Sequence, residues 1–291
     1  MKKLETANNW KGVWTALITP FTPKGRLDKK SLRNLIEQQI QNNIHGLVIG
    51  GSTGESSLLT DEEYSELLLS SYEIIAGRIP IVAGLGIGGT RDTIGRALIA
   101  LKSGASGFLA SPPAYIKAPT RGLVQHFKEI ASMGLPVCLY DVPSRSAMSL
   151  ADEVIDELLS DKNINIKALK DASGKPERIR GKTQWAEQIA LLSGDDESFP
   201  AFIHEGGHGI IGVATHFLAK EFNAVLKNPK DLATFEKRIP FIRALYWESN
   251  PIPVKSLANK IGLIESNTFQ SPLAPMKNDL LEKLYELYKN E

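Results

Sequence analysis

The sequence predicts a (β/α)8 barrel with a C-terminal helical extension, and three observations lead to this fold class. Eight short apolar runs recur over the first 215 residues, amphipathic segments separate them, and the alternation stops after about residue 226. Runs that are apolar throughout are typical of strands buried on both faces, as in parallel sheets covered by helices. Strands that alternate with helices predict parallel pairing through right-handed crossovers. Eight such units favour a closed barrel over the alternative, a doubly wound open sheet.

The predicted strands are nearly continuous in Val, Ile, Leu, Ala and Gly, and they cover residues 13–21, 46–51, 80–86, 107–111, 136–142, 164–170, 189–194 and 209–215. Between them, residues 28–42 carry one apolar helical stripe. Thr60-Asp61-Glu62-Glu63 has the form of a capping box that opens the next helix, which Gly77 ends. Further helix starts are expected near Thr90, Asp152, Pro176 and Ser198.

The pattern changes after residue 226, where prolines punctuate the chain at Ile239-Pro240 and Asn250-Pro251-Ile252-Pro253. A last helical stripe includes Leu280, Leu284 and Leu287. We therefore assign residues 1–226 to the barrel and expect it to be the catalytic domain, because active sites in this fold lie at the carboxyl ends of the strands. Residues 227–291 are expected to form a helical extension packed on it.

Composition narrows the function. The net charge is +1, which argues against a nucleic-acid or membrane-surface partner. The single cysteine, Cys138, lies in an apolar run, so burial is expected, no intrachain disulfide can form, and a reducing cytoplasm is indicated. The first residues lack an apolar export core, and no apolar stretch approaches the ~20 residues of a membrane helix.

Two motifs are interpreted as structural. Gly84-Leu85-Gly86-Ile87-Gly88-Gly89 fits G-x-G-x-x-G, but the next predicted strand carries no acidic residue for a ribose, so we expect a glycine-rich loop and no cofactor. His204-Glu205-Gly206-Gly207-His208 fits H-E-x-x-H, but two adjacent glycines make one continuous helix unfavourable. We expect a helix C-cap there, and no metal site.

Lys170 is the most informative residue, because it follows the apolar run that starts at Ile164 and precedes the small-residue turn Asp171-Ala172-Ser173-Gly174. Burial in general favours the neutral form of a lysine, and a neutral amine adds to a ketone to form a Schiff base. Active-site groups of a barrel collect at the carboxyl ends of its strands. Those ends also carry Ser52 and Thr53, Tyr140 and Arg145.

The chain resembles the dihydrodipicolinate synthase / N-acetylneuraminate lyase family of class I aldolases over essentially its whole length, and three segments carry the resemblance. Gly51-Ser52-Thr53-Gly54-Glu55-Ser56 is similar to the family's G-[ST]-T-G-E motif. Lys170-Asp171-Ala172-Ser173-Gly174 resembles its Schiff-base segment. Leu139-Tyr140-Asp141-Val142-Pro143-Ser144-Arg145 resembles the Y-N-V-P-S-R segment of the synthase branch, whose arginine the lyase branch usually lacks.

The resemblance implies a catalytic set. Lys170 condenses with pyruvate, while Tyr140, Ser52 and a second tyrosine from a neighbouring subunit form a proton relay. Tyr115 is the only tyrosine in the corresponding loop, so it is assigned that place. The family is typically a homotetramer built from tight dimers.

The resemblance also implies a binding set. Thr53 holds the carboxylate of pyruvate, Arg145 holds the carboxylate of aspartate semialdehyde, and Gly194 and Ile211 line the site near the imine. The expected product is 4-hydroxy-tetrahydrodipicolinate, the entry to lysine and diaminopimelate synthesis.

Three positions depart from the family pattern. Ser52 stands where the synthase branch usually has threonine, although the hydroxyl is kept. Asp141 replaces an asparagine and adds a negative charge beside a site that accepts anions. The loop around Tyr115 is one residue longer than usual and lacks the adjacent tyrosine.

Two alternatives to the synthase stay open at this stage. One is another pyruvate-dependent aldolase or dehydratase acting on a 2-keto-3-deoxy sugar acid, which Asp141 favours and Arg145 disfavours. The other is a non-catalytic paralogue that binds pyruvate-like ligands, against which Lys170 and Tyr140 both argue.

In lysine-sensitive members, lysine binds at the tight-dimer interface. There the family's two histidines, asparagine and glutamate fall on Asp61, Tyr64, Gly88 and Asp92 of this chain. Inhibition by L-lysine is therefore expected to be weak or absent, unless other interface residues rebuild the site.

Overall fold

A computed structural model describes residues 9–86 and 88–289, and in it eight parallel strands close into a barrel. The strands are β1 Gly12–Ala16, β2 Gly46–Ile49, β3 Ile81–Gly84, β4 Gly107–Ala110, β5 Val137–Asp141, β6 Ile166–Asp171, β7 Ala190–Ser193 and β8 Gly209–Gly212. Each strand pairs with the next in sequence, and β1 also pairs with β8, with Val13 opposite Ile210. The predicted barrel is thus confirmed, and the open sheet is wrong.

Helices follow the strands and cover the outside of the barrel. They are α1 Lys29–Gln41, α2 Asp61–Ile75, α3 Thr90–Lys102, α4 Thr120–Ala131, α5 Pro143–Ser146, α6 Asp152–Ser160, α7 Thr183–Ala186, α8 Phe199–His204 and α9 Thr215–Lys227. Short 3-10 turns span Ser56–Leu58 and Pro176–Ile179.

Local chemistry sets several of these boundaries. The Asp28 carboxylate accepts from the backbone N–H of Lys30 and Ser31 at the start of α1. The capping box at Thr60 is confirmed, because its hydroxyl accepts from Glu63 N and the Glu63 carboxylate accepts from Thr60 N. The predicted strands are longer than the observed ones, and the first of them runs five residues past the end of β1. In parallel barrels the ends of an apolar run continue as loops that line the barrel mouth.

Three further helices form the C-terminal extension: α10 Ala233–Ala244, α11 Ile252–Lys260 and α12 Asn278–Lys289. The expectation that Pro240 marks a break between elements is wrong, because α10 continues through this proline. A proline costs a helix one hydrogen bond, but the following Phe241 and Ile242 are buried in the core, and their packing outweighs that loss. The boundary between residues 226 and 227 falls at the end of α9, and its meaning as a domain division stays a prediction.

Two layers of core hold the barrel. The larger one lies between strands and helices, and the smaller one fills the barrel interior. Trp10 and Trp14 stack at 5.5 Å between ring centroids within the inner layer. Cys138 also belongs to this layer, and burial raises the pKa of its thiol to about 12, so its predicted burial is confirmed.

The helix C-cap predicted at His204-Glu205-Gly206-Gly207-His208 is confirmed. Helix α8 ends at His204, and Gly206 takes a positive φ of 99° before β8 begins at Gly209. His208 Nδ1 accepts from the backbone N–H of Leu191, so the two histidines do not share a helical face. In the described part of the chain, no helix is both long and apolar enough to cross a membrane.

Candidate active site

Lys170 lies at the carboxyl end of β6, where only 5% of it is exposed. The register pairs it with Tyr140 on β5 and Leu192 on β7. Its Nζ lies 4.3 Å from the centroid of the Tyr140 ring. The amine is therefore shielded from water and lies beside an aromatic hydroxyl-bearing side chain, as nucleophilic catalysis requires.

A cavity of about 700 Å³ opens at this end of the barrel and contains the lysine. Six of the eight predicted site residues line it together: Ser52, Thr53, Tyr140, Arg145, Lys170 and Gly194. They come from the carboxyl ends of four different strands, β2, β5, β6 and β7, or from the segments that follow them, so only closure of the barrel brings them together. Its size suits small-molecule substrates.

The loop after β2 presents hydrogen-bond donors to this cavity. Gly54 N bonds back to Gly51 O, and Glu55 N to Ser52 O, which closes a tight turn. Within the described residues, the backbone N–H groups of Ser52 and Thr53 donate to no protein acceptor. Successive free amides in a turn form a concavity that binds anions. This loop can therefore cradle a small carboxylate.

Glycine is required at two places around the lysine. Gly50 has a φ of 64°, and a Cβ there would lie 2.6 Å from the Tyr64 ring. A Cβ on Gly194 would lie 2.8 Å from Lys170 Cε and 2.7 Å from Ala172 Cβ. A larger residue at Gly194 would displace the lysine chain.

Arg145 stands on α5 at the cavity rim and is exposed. Its Nη2 donates to the backbone carbonyl of Asn250 at 2.8 Å. It forms no ion pair with another described residue, so its fork remains available to a carboxylate.

Two predicted site residues lie outside the cavity lining. Tyr115 is 94% exposed on the loop after β4, and Ile116 beside it is also exposed. Ile211 is buried in the inner core layer, against which Tyr140 packs, and does not line the cavity.

Asp141 does not add negative charge to the cavity. Side chains alternate along a strand, so Tyr140 points inward and Asp141 outward. Asp141 is fully buried, accepts from Leu150 N at 2.9 Å and forms an ion pair with Arg178. Arg178 also pairs with Asp171 at 3.1 Å. The expected effect of Asp141 on the site is therefore wrong, because Arg178 offsets its charge on the far side of the strands.

Sequence reasoning missed the contribution of the C-terminal extension. Five consecutive residues between α10 and α11 line the cavity: Tyr246, Trp247, Glu248, Ser249 and Asn250. Tyr246 donates its hydroxyl to Asp196 at 2.7 Å. Burial raises the pKa of Asp196 to about 6, although this bond and two backbone N–H groups oppose the shift. The proline cluster after Asn250 indicated a turn, but nothing in the sequence placed it over the barrel.

The residues aligned with the family's lysine pocket have partners within this chain. Asp61 pairs with Arg96 at 2.8 Å, and the Arg96 guanidinium lies 4.5 Å above the Tyr64 ring. Tyr64 is buried and donates to Gly84 O at 2.9 Å. A Cβ on Gly88 would lie 2.9 Å from Asp92 Cβ, so a side chain there would crowd Asp92.

Comparisons with known proteins agree with the geometry. The model of the Dihydrodipicolinate synthetase family matches residues 9–291. The 4-hydroxy-tetrahydrodipicolinate synthase of Stenotrophomonas maltophilia (strain R551-3) is 37% identical over 273 residues, which cover 91% of this chain and 91% of the relative. The protein of that name from Buchnera aphidicola subsp. Baizongia pistaciae is 39% identical over 285 residues, which cover 94% and 96%.

Solved structures give the same result. The crystal structure of the chloride-inhibited dihydrodipicolinate synthase from Acinetobacter baumannii, complexed with pyruvate, matches with a TM-score of 0.90 at 32% identity, covering 97% of this chain and 98% of that one. Sequence and structure thus agree over nearly the full length of both chains. The chain belongs to the dihydrodipicolinate synthetase family.

Proposed function

We propose that the protein catalyses the condensation of pyruvate with L-aspartate 4-semialdehyde to 4-hydroxy-tetrahydrodipicolinate, through a Schiff base on Lys170. The observation that carries this proposal is the buried Lys170 amine, which shares one cavity with Tyr140, the Ser52–Thr53 loop and Arg145. Relatives named for this reaction cover more than nine-tenths of the chain.

The first half-reaction needs an amine and an anion site. Lys170 Nζ attacks the C2 ketone of pyruvate, and loss of water gives the imine. The amides and hydroxyls of Ser52 and Thr53 bind the pyruvate carboxylate. The imine draws electrons from C3, so loss of a C3 proton gives an enamine. Tyr140 carries protons for these steps, and its position next to Lys170 in the strand register supports this role.

The second half-reaction needs a second anion site. Arg145 at the rim binds the carboxylate of the semialdehyde, which directs its aldehyde carbon toward the enamine C3. After the carbon–carbon bond forms, the amine of the second substrate attacks the imine carbon and releases Lys170. The net reaction forms one carbon–carbon bond and one ring C=N bond, releases one water and regenerates the Lys170 amine.

Tyr115 requires a neighbouring subunit for its proposed place in the relay. Tyr115 is 94% exposed and lies next to the exposed Ile116, so this loop presents an apolar patch to solvent. Such a patch is typical of a surface that contacts another protein. We propose that a second copy covers this loop and takes Tyr115 into its own cavity, within a homotetramer of two tight dimers.

We place the protein in the cytoplasm as part of this proposal. The support is that its single cysteine, Cys138, allows no intrachain disulfide, as is typical of proteins in a reducing compartment. The product feeds lysine and diaminopimelate synthesis.

Reduction with borohydride in the presence of pyruvate tests the first half-reaction. Mass mapping should find the adduct on Lys170, and Lys170→Ala should stay folded and lose nearly all activity. Lys167, which is exposed on the same strand, is the matched control, and Lys167→Ala should be labelled like the wild type. An adduct at Lys167, or none, would reject the imine mechanism.

A substrate panel tests the second half-reaction. Product formation from pyruvate and aspartate semialdehyde should greatly exceed cleavage of 2-keto-3-deoxy sugar acids. The reverse order would favour the sugar-acid alternative, which no longer has Asp141 as support. Pyruvate binding without turnover of either class would favour the non-catalytic paralogue.

A further inference from the structure

Asn250 is the point at which the C-terminal extension contacts both anion-binding parts of the cavity. Its side-chain Nδ2 donates to Thr53 Oγ1 at 2.9 Å, across 197 positions of sequence. Its backbone carbonyl accepts from Arg145 Nη2 at 2.8 Å. All three residues line the cavity.

The contact with Thr53 determines where the threonine proton can go. A threonine hydroxyl has one proton to donate and two lone pairs that accept, whereas an amide NH₂ group only donates. With Nδ2 of Asn250 facing Thr53, the bond occupies a lone pair of Thr53 and leaves its proton for another acceptor, while Asn250 Oδ1 is buried and has no protein partner among the described residues. Within the described residues, the Thr53 hydroxyl donates to no protein group.

Burial makes that proton significant. Thr53 is 3% exposed, and a buried donor without an acceptor costs free energy. The carboxylate of a ligand bound beside the free amides of Ser52 and Thr53 supplies the acceptor. A hydrogen bond to a charged group is stronger than one between neutral groups.

We propose that Asn250 is a positioning residue for the pyruvate carboxylate, an inference that rests on the function proposed above. By donating to Thr53, it directs the threonine proton toward the pyruvate carboxylate. By accepting from Arg145, it holds the guanidinium over the same cavity. The extension thereby sets the anchors of both substrates.

Asn250→Asp is the sharpest test, because it keeps the shape and replaces the donating NH₂ group with an acceptor. Thr53 would then donate to the new carboxylate and lose its proton for the substrate. The pyruvate concentration that gives half-maximal borohydride labelling of Lys170 should rise about ten- to hundred-fold, as for a lost hydrogen bond to a charge. Asn250→Ala leaves the proton free and should raise this concentration only about two- to five-fold.

The Thr53→Val background shows whether Asn250 acts through Thr53. In that background Asn250→Ala should have no further effect on half-maximal labelling, and Asn250→Asp should have much less effect than in the wild type. If circular dichroism shows that Asn250→Asp does not fold, the effect of Asn250→Ala in the wild type is compared with its effect in Thr53→Val, and this comparison alone tests whether Asn250 acts through Thr53. Asn259 on α11 is the matched control: its amide donates to Ile264 O inside the extension, so Asn259→Asp should label like the wild type.

Three results would overturn the inference. One is a labelling curve for folded Asn250→Asp that matches that of the wild type. As long as the wild type forms the adduct, this result does not affect the proposed function. Another is equal loss in Asn250→Asp and Asn250→Ala with a lowered melting temperature, which indicates a merely structural role. The third is absence of any adduct in the wild type, which removes the proposed function as well.

Discussion

The buried ion pair between Glu55 and Lys255 offers a strong test of how the extension supports the site. Both side chains are 0% exposed, and Lys255 Nζ lies 2.6 Å from Glu55 Oε1. Glu55 ends the cavity turn that carries Ser52 and Thr53, at a left-handed φ of 59°. Lys255 belongs to α11. The pair therefore links the turn to the extension.

The magnitude follows from the environment of the pair. Desolvation lowers the pKa of Lys255 to about 8, even though Glu55 opposes this shift. Burying the ammonium thus costs more than the attraction returns. Removing one partner leaves the other charge buried, which costs about 3–5 kcal/mol. Replacing both charges by groups of similar volume is often nearly neutral.

Urea unfolding at pH 7 and fixed protein concentration measures how much each partner of the pair contributes to the free energy of unfolding. Lys255→Met and Glu55→Gln should each lower the free energy of unfolding by about 3–5 kcal/mol, and the double variant should lose much less than their sum. The exposed Lys30–Glu265 pair is the control, and Lys30→Met should leave that free energy nearly unchanged. Additive losses, or single losses below about 1 kcal/mol, would refute the reasoning.

Four further outcomes are expected. Arg145→Ala should lower kcat/KM for aspartate semialdehyde about ten- to hundred-fold with little effect on pyruvate labelling, and an unchanged constant would remove this arginine from the site. Mixing inactive Tyr115→Phe and Lys170→Ala subunits should restore some activity, and verified mixed oligomers without recovery would exclude a relay that crosses the interface. Steady-state assays should show weak or no inhibition by millimolar L-lysine, whereas strong sub-millimolar inhibition would show that the interface rebuilds a lysine site. His216 is buried, with Nδ1 donating to Val213 O and Nε2 accepting from Ile18 N. A proton on Nε2 would face the N–H of Ile18, and burial lowers the pKa of His216 to about 4. The contribution of the neutral histidine to the free energy of unfolding should be complete above pH 6.5 and fall by about 3 kcal/mol as the pH drops toward 4. Urea unfolding of the wild type should show this decline, and that of His216→Gln should not. Equal pH profiles of the two proteins would contradict the prediction.

Features that depend on neighbours along the chain could be predicted from the local pattern of residues. The eight strands and the cap at Thr60 could be predicted because hydrophobic period and capping act over a few residues. Lys170 could be placed at a strand end for the same reason. The resemblance to known motifs then supplied roles that spacing alone does not contain.

Contacts between residues that are distant in sequence depend on the folded path of the chain. Asn250 contacts Thr53 across 197 positions, and Lys255 contacts Glu55 across 200. The inward or outward direction of Asp141 depended on strand register, and Pro240 was accepted within a helix because the residues after it are buried. Such contacts follow from the path of the whole chain and from the burial it creates, which no local pattern encodes.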